Sequence, residues 1–573
     1  MASSGNKMSY AALAVQFLGL ASASCSDCSL SALNTTVGGR VQPLTPFSLP
    51  CFSSYNGHPV TPNDAACATI QANYSDPYLR TNTPNGYMNY QDEMCSSNPQ
   101  DQCVLDSSDP TDPLAFNGTD CRQGNMPSYY LEVHDATDVS AALEYSRCSG
   151  VRVVIKNSGH DYLGRSSGKG TLQLWTRNLQ DMSYHASFVP KGCPANSTTT
   201  YNAITAGAGV NFDEAYAFAH DHNVTILGGY SPTVGLSGGW VQMGGHSVLS
   251  PVYGLGVDRV VQYKVVTPDG NLRIANECQN QDLFWALRGG GGGTFGVVLE
   301  STHRVEPRFG FTAAIVKFTS NSTNVLPWMD IIVNNTLRWA EEGWGGHITG
   351  STLINVSPLM TVAQAKRSLA SVIAYAQAQG GSAVVEHFAS WYDFYSKYVT
   401  SEAVSVGVTH FAGSRLVPRA VFETAEGREN LMDFFKLIQQ NGQTPYIPVV
   451  GPVLYNYTEG STSATPAWRQ AVWELGSGSA WAWNSTLATR EAKIATLQNM
   501  TATLERITPG SGAYSNEANP FTEDWREAWW GTENYDKLLA IKHKYDPSGL
   551  LSCWKCIGWQ ESQANSTCFA AFQ

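Results

Sequence analysis

The strongest constraint on this chain is a glycine-dense stretch. It runs Gly228-Gly229-Tyr230-Ser231-Pro232-Thr233-Val234-Gly235-Leu236-Ser237-Gly238-Gly239 and continues to Met243-Gly244-Gly245-His246-Ser247, then Tyr253-Gly254-Leu255-Gly256-Val257-Asp258. Residues without a Cβ let the backbone approach a flat ligand closely. Bulges and turns of a β-domain would use the same composition. A second run, Gly289–Gly293, follows the helix-like turn Phe284-Trp285-Ala286-Leu287-Arg288. It does not open a helix within a βαβ unit, so the fingerprint of a nicotinamide-dinucleotide loop is not met.

Upstream, the pattern is that of a βαβ-like unit. Tyr129–Val133 alternates like a strand. Asp135 or Thr137 can cap a helix with Val139, Ala142, Leu143 and Tyr145 on its apolar face, and Gly150 stops it. Val151–Ile155 is β-branched apart from Arg152, as a largely buried strand would be. The unit delivers the chain into Asn157-Ser158-Gly159-His160-Asp161-Tyr162-Leu163-Gly164-Arg165-Ser166-Ser167-Gly168. A tight polar loop after a buried strand presents backbone N–H groups, which hold pyrophosphate without needing Lys or Arg. A lone His in such a loop is more often an ordinary polar residue.

The chain has 573 residues, too many for one core, so two domains or more are expected. Its formal net charge is −12 and no basic run is present, which argues against nucleic acid as a partner. Lys7, the mostly apolar Ala11–Leu20 and the small residues Ala21-Ser22-Ala23 read as a signal peptide over 1–23. The apolar run is too short to span a bilayer, so a secreted protein with no membrane association after cleavage is expected. The 13 cysteines fit a disulfide framework with at least one thiol left over. Cys25-x-x-Cys28 and Cys553-x-x-Cys556 also have zinc-site spacing, but an exported chain oxidises such pairs, so no metal is expected. Asn-x-Ser/Thr sequons are dense (Asn34, Asn73, Asn117, Asn196, Asn223, Asn321, Asn334, Asn355, Asn456, Asn484, Asn499, Asn565), as on a glycosylated surface.

Composition and periodicity divide the remainder. Residues 24–125 are irregular and rich in Cys, Pro, Asn, Asp and Ser. Tyr263–Thr267 and Leu272–Ala275 read as strands joined at Asp269-Gly270, and Phe295–Glu300 as another. Beyond 310, helical stretches (Ala363–Ala378, Arg428–Gln440, Glu491–Ile507) alternate with β-like ones (Ala313–Phe318, Ala383–Phe388). The tail carries Trp525, Trp529 and Trp530, which favour an aromatic or apolar ligand unless they belong to the core.

The loop around His160 and the glycine-dense stretch, in this order, resemble the FAD domain of vanillyl-alcohol-oxidase-type flavoproteins, and in particular the fungal secreted members of the berberine-bridge-enzyme-like branch. The likeness extends through Asp282–Gly289 and Gly290–Val298, and resumes in Tyr514-Ser515-Asn516-Glu517 and Asn534-Tyr535 through Asp546-Pro547. It implies an α+β, two-domain FAD-binding fold with an inserted substrate domain: an N-terminal region 24–125, an FAD-binding domain 126–309, a substrate domain 310–511, and a C-terminal part 512–573 completing the FAD domain.

The resemblance also implies residue roles. His160 stands where the family attaches FAD covalently. Asn157, Ser158, Gly159 and Asp161 would hold the pyrophosphate, with Ser231, Thr233, Val234 and Gly235 beside the flavin. Gly238, Gly239, Gly244 and Gly245 would line it, and Gly296 and Val297 would contact it by backbone. Many relatives carry a cysteine before Pro-Thr-Val-Gly that makes a second link. Here Ser231 occupies that place, and a hydroxyl is a much poorer nucleophile than a thiolate, so one link through His160 only is expected. Val234 falls at the family's oxygen-gating position and favours an oxidase. Tyr514-x-Asn516 matches the Tyr-x-Asn motif whose phenolate takes a substrate proton. That role needs a cation or hydrogen bonds to lower an ordinary phenol pKa of about 10. His246 would orient substrate or share the base role.

Hydride transfer from an alcohol, sugar hemiacetal or biosynthetic intermediate to FAD, with oxygen as acceptor and peroxide released, is therefore expected. A ring-forming or other tailoring oxidoreductase on the same fold is the alternative. Gly235-Leu236-Ser237-Gly238-Gly239 also fits the Gly-x-Ser-x-Gly of a serine hydrolase, but the strand-to-helix context of a nucleophile elbow is missing.

Overall fold

The computed structural model describes residues 27–194, 199–400 and 406–572. The proposed signal peptide, Cys25 and the sequon at Asn196 lie outside them.

A small sheet comes first, built from β1 (Val41–Pro43), β2 (Tyr129–Glu132), β3 (Val153–Lys156) and β4 (Leu172–Trp175) in the order β1-β2-β4-β3. β2 and β3 both run parallel to β4. Between β2 and β3 lies α1 (Ala136–Ser149). Asp135 caps it by accepting from the Thr137 and Asp138 amides, and Gly150 ends it in a left-handed conformation at φ 75°. Of the two caps open from sequence, Asp135 is the one used. Val139, Ala142 and Leu143 pack on Leu131, Val153 and Leu174.

A second sheet, antiparallel, contains β5 (Met182–Phe188), β6 (Tyr201–Gly207), β7 (Val260–Val266), β8 (Leu272–Asn276) and β9 (Val297–Arg304) in the order β8-β7-β9-β6-β5. The β7–β8 hairpin turns at Asp269-Gly270, as its sequence predicts.

Residues 311–479 supply a seven-stranded antiparallel sheet: β10 (Phe311–Lys317), β11 (Gly345–Thr349), β12 (Thr352–Ser357), β13 (Ser382–Phe388), β14 (Phe411–Pro418), β15 (Tyr446–Val449) and β16 (Ala471–Ser479). Its order is β13-β10-β12-β11-β15-β16-β14. Helices α2 (Val325–Glu341), α3 (Ala425–Gln440) and α4 (Leu487–Ile507) cover one face, sharing a core with Ile447, Val449, Trp473 and Leu475. Successive strand residues point to opposite faces. Tyr446, Pro448, Glu474 and Gly476 therefore project from the other face, into a cavity. Ala363–Ala378 forms two helices rather than one, Val362–Ser368 and Ala370–Ala378, broken at Leu369.

Six disulfides tie the chain: Cys28–Cys148, Cys51–Cys67, Cys95–Cys568, Cys103–Cys121, Cys193–Cys278 and Cys553–Cys556. Cys28 thus pairs across 120 residues, not with Cys25. Asn355 lies inside β12 at 1% exposure, so its sequon belongs to the sheet core and not to a glycosylated surface. Trp525, Trp529 and Trp530 are each 2% exposed or less and pack among themselves and on Tyr535; they are core. Among the described residues, no helix is long and apolar enough to cross a membrane.

Candidate active site and cofactor cleft

β3 ends at Lys156 and the chain turns through Gly159, which adopts φ 85°. Only a residue without a Cβ fits there: a Cβ would lie 3.1 Å from Lys156 Cε in a conformation that L side chains avoid. The turn opens a cavity of about 560 Å³ that reaches the uncovered face of the seven-stranded sheet. Asn157 through Asp161 form one wall, and Ser231, Val234, Gly235, Gly238 and Gly239 the facing one. Gly292 and Gly293 of the second glycine run join them, with Gly296 just beyond it. At Gly235 a Cβ would sit 2.5 Å from Asn157 Oδ1, so the two walls meet only because glycine is there.

His160 Nε2 lies 2.7 Å from Thr233 Oγ1, which ties the loop to the glycine stretch. Burial, and then the positive charge of Lys156, hold the imidazole neutral, with its pKa pushed down to about 3. Asp161 is paired with Arg165, the residue one helical turn on.

Not every residue expected at the cleft lines it. Gly244 and Gly245 lie behind the wall, where a Cβ would meet Trp468 Nε1 and the Trp240 ring at 3.2 Å, so their lack of a side chain makes room for ring packing. The Val297 side chain turns into the core of the small sheet with Leu131 and Leu174, a placement that leaves the expected backbone contact untouched, while Gly296 and Val298 face the cavity. Thr233 is fully buried and reaches the cleft only through His160. Ser237 directs its hydroxyl to Ser301 Oγ at 2.5 Å and Ala206 O at 3.4 Å, on a segment followed only by the short helix Gly239–Gln242. That is not a nucleophile elbow.

Tyr514, Asn516 and His246 do converge at the far end of the cavity. Asn516 Nδ2 donates to Tyr514 Oη at 2.7 Å and to Gly239 O at 3.0 Å. The His246 and Tyr514 rings meet edge to face at 5.3 Å. Burial pushes Tyr514 well above 10 and Glu517 adds to the rise, outweighing Asn516 and the more distant Arg165.

Two acidic residues without an assigned role complete this end. His246 Nε2 lies 3.2 Å from Glu517 Oε1 and 3.6 Å from Glu474 Oε2. Glu474 is 1% exposed, and its other oxygen accepts from Ser414 Oγ at 2.5 Å. Burial and then the Glu517 charge raise Glu474, while the two carboxylates overcome the burial of His246 and raise it too. His246 is thus within reach of two carboxylates between which it can pass a proton. Glu474 is missed by motif reading, although one ionisable residue inside the apolar strand Val472-Trp473-Glu474-Leu475 is itself a signal.

The cleft fits a flavin dinucleotide. Glycines form much of its wall beside the turn, the His160 imidazole there is neutral and so nucleophilic, and Asn157 Oδ1 and Gln242 Oε1 are buried on its wall with no hydrogen-bond partner.

Comparison with known proteins agrees. Residues 127–276 match the model of an FAD binding domain, and 513–553 that of the berberine and berberine-like segment. The FAD-linked oxidoreductase ffsJ of Aspergillus flavipes is 44% identical over 564 residues, covering 92% of this chain and 91% of the relative. The VAO-type flavoprotein MtVAO615 from Myceliophthora thermophila C1 superposes with a TM-score of 0.79 at 29% identity, over 92% of this chain and 94% of its own. Glucooligosaccharide oxidase from Acremonium strictum, which carries a 6-S-cysteinyl, 8α-N1-histidyl FAD, shares the fold at a TM-score of 0.62 and 22% identity, over 75% of this chain and 92% of its own. The chain belongs to the vanillyl-alcohol-oxidase-type FAD-dependent oxidoreductases, in their berberine-bridge-enzyme-like branch.

Proposed function

We propose that this protein is a secreted FAD-dependent oxidase acting on a hydroxyl-bearing small molecule, with the cofactor attached through His160 alone. The observation that carries this reading is the meeting of Tyr514, His246, Glu474 and Glu517 at one end of a glycine-walled cavity that begins at His160. In this reading residues 126–309 and 512–573 hold the cofactor and 310–511 roof it. Six disulfides support export.

Asn157 to Asp161 hold the pyrophosphate by backbone amides, and Gly238, Gly239 and Gly296 leave room for the flat ring. His160 is neutral and supplies a ring nitrogen for attachment. Ser231 has no thiolate form and adds no second link. When bound, FAD would supply the two-electron acceptor for the carbinol hydride and the reductant that turns oxygen into hydrogen peroxide, one hydrogen coming from that hydride and the other from the substrate hydroxyl proton. The hydroxyl proton goes to the His246–Glu474–Glu517 cluster, whose two carboxylates lie within 3.6 Å of His246 Nε2 on the cavity wall. Tyr514 remains a neutral phenol, and with Asn516 it orients the hydroxyl. Val234, half-buried on the wall, leaves the oxygen route open.

The test is a panel of alcohols, sugars and secondary-metabolite intermediates assayed for peroxide and carbonyl product. Equal amounts of both are expected. A cyclised product without a new carbonyl moves the chain to the ring-forming oxidoreductases. Flavin that no compound reduces overturns the oxidase reading.

A further inference from the structure

Beyond His246 the cavity has a chemistry of its own. One wall is a ladder of rings: Tyr230 lies 4.4 Å from His347, and His347 stacks on Tyr446 at 5.5 Å with 21° between planes. Tyr446 Oη and His347 Nδ1 are 2.7 Å apart, which locks that pair. Tyr162 and His410, at 5.1 Å, give a second aromatic surface. Burial keeps both histidines neutral. These faces are flat and uncharged, and such rings gain most from an aromatic or conjugated partner.

The charges present are one-sided. Among the described residues, no lysine lines the cavity, and its one arginine, Arg165, is already engaged by Asp161 and Asn516. Glu474 and Glu517 face the same space with only His246 between them. Burial and Glu517 raise Glu474 into its protonated form, so a protonated His246 is balanced by Glu517 and the cluster offers an anion no uncompensated cation. Three buried atoms on this side, Tyr230 Oη, Ser477 Oγ and Glu474 Oε2, have no hydrogen-bond partner in the chain. Buried polar atoms are costly to leave unpaired, so they mark where a ligand completes the bonding.

Resting on the oxidase reading above, we infer that this half of the cavity takes a neutral, flat, aromatic or conjugated molecule bearing hydrogen-bond donors, and excludes carboxylates and phosphates. Aromatic surface supplies the binding, the three unpaired atoms fix the orientation, and an anion entering here finds no free cation to offset its lost hydration.

The test uses three probes on the flavin-loaded protein: 2-naphthalenemethanol, 2-naphthoate and cellobiose. Binding is read from the perturbed flavin absorbance, which needs no turnover. Naphthalenemethanol is expected to bind at least about tenfold more tightly than naphthoate, the scale of burying one unpaired charge in a site with no free cation, and more tightly than cellobiose. Tyr230→Phe, which keeps the ring and removes the hydroxyl, is expected to weaken the alcohol severalfold. Glu517→Gln is expected to narrow the gap to naphthoate. Naphthoate binding as tightly as the alcohol, or cellobiose binding more tightly, overturns the inference. Naphthalenemethanol that binds, with no compound of the wider panel reducing the flavin, upholds the binding class and removes the oxidase reading. Peroxide from cellobiose without naphthyl binding does the reverse.

Discussion

Arg165 reaches Asn516 across the cofactor cleft, its guanidinium donating to Asn516 Oδ1 at 2.8 Å. The same guanidinium pairs with Asp161, the neighbour of His160. Because Arg165 claims the amide oxygen, Asn516 must present Nδ2 to Tyr514 Oη, and that contact is 2.7 Å. The cofactor loop and the C-terminal segment are thereby one hydrogen-bonded unit, although 351 residues separate them.

The network predicts distinct behaviour for its two middle members. Arg165→Gln frees the Asn516 amide to rotate and is expected to lower kcat/KM about 100-fold, the effect of losing group positioning, with covalent flavin retained. Asn516→Asp keeps a partner for Arg165 but turns a donor towards Tyr514 into an acceptor, so its loss falls mainly on kcat. Steady-state kinetics with flavin content measured in parallel checks both. Equal loss of flavin and activity in Arg165→Gln would assign Arg165 to folding of the loop instead.

Glu474 tests the proton-accepting cluster. Its carboxylate helps raise His246, so Glu474→Gln is expected to move the acid limb of the pH–rate profile to lower pH, since His246 then releases its proton more readily. The maximal rate should fall, because one acceptor is gone. A rate drop with an unshifted limb would show that the cluster does not titrate in the reacting complex.

What the sequence revealed and what it hid divide along a physical line. The His160 loop and the wall from Ser231 to Gly239 were legible because each is contiguous, and backbone binding needs only glycine and a tight turn. Asp135 and Gly150 announced the ends of the first long helix for the same local reason. Glu474 was hidden because its role arises only when β16 is laid beside the cleft, and no spacing ties it to His246. Gly244 and Gly245 look like their neighbours but serve Trp468 and Trp240, and composition cannot tell a glycine that admits a ligand from one that admits an indole. The sequon at Asn355 misleads likewise, since the motif does not record that β12 buries it.

Ser231 bears on the cofactor link. Acid-denatured wild-type protein is expected to keep its flavin, with peptide mass mapping placing it on the His160 peptide alone. Ser231→Cys puts a thiol directly before Pro232-Thr233-Val234-Gly235, and a second linkage to the peptide containing residue 231 is expected to form. His160→Ala should leave flavin that washes away on denaturation. Flavin bridging two peptides in the wild type would show that Ser231 does not limit the linkage.

His303 sets a stability limit on the acid side. It is 2% exposed within β9, with Nε2 2.7 Å from Ser301 Oγ, and burial followed by the Arg259 charge lowers it from 6.5 to about 3. The unfolded chain binds a proton there near pH 6.5 and the folded one only near 3, so this stability is fully present above 6.5 and drains away as pH falls towards 3. At roughly 1.4 kcal/mol per unit of pKa difference, the loss between pH 6.5 and 5 is about 2 kcal/mol. His303→Gln keeps a hydrogen-bonding partner for Ser301 and cannot be charged. Denaturant unfolding of both proteins at pH 7 and pH 5 should show the wild type losing that much more than the variant. Equal losses would mean that His303 stays neutral in the unfolded chain as well, or that water reaches it in the folded one.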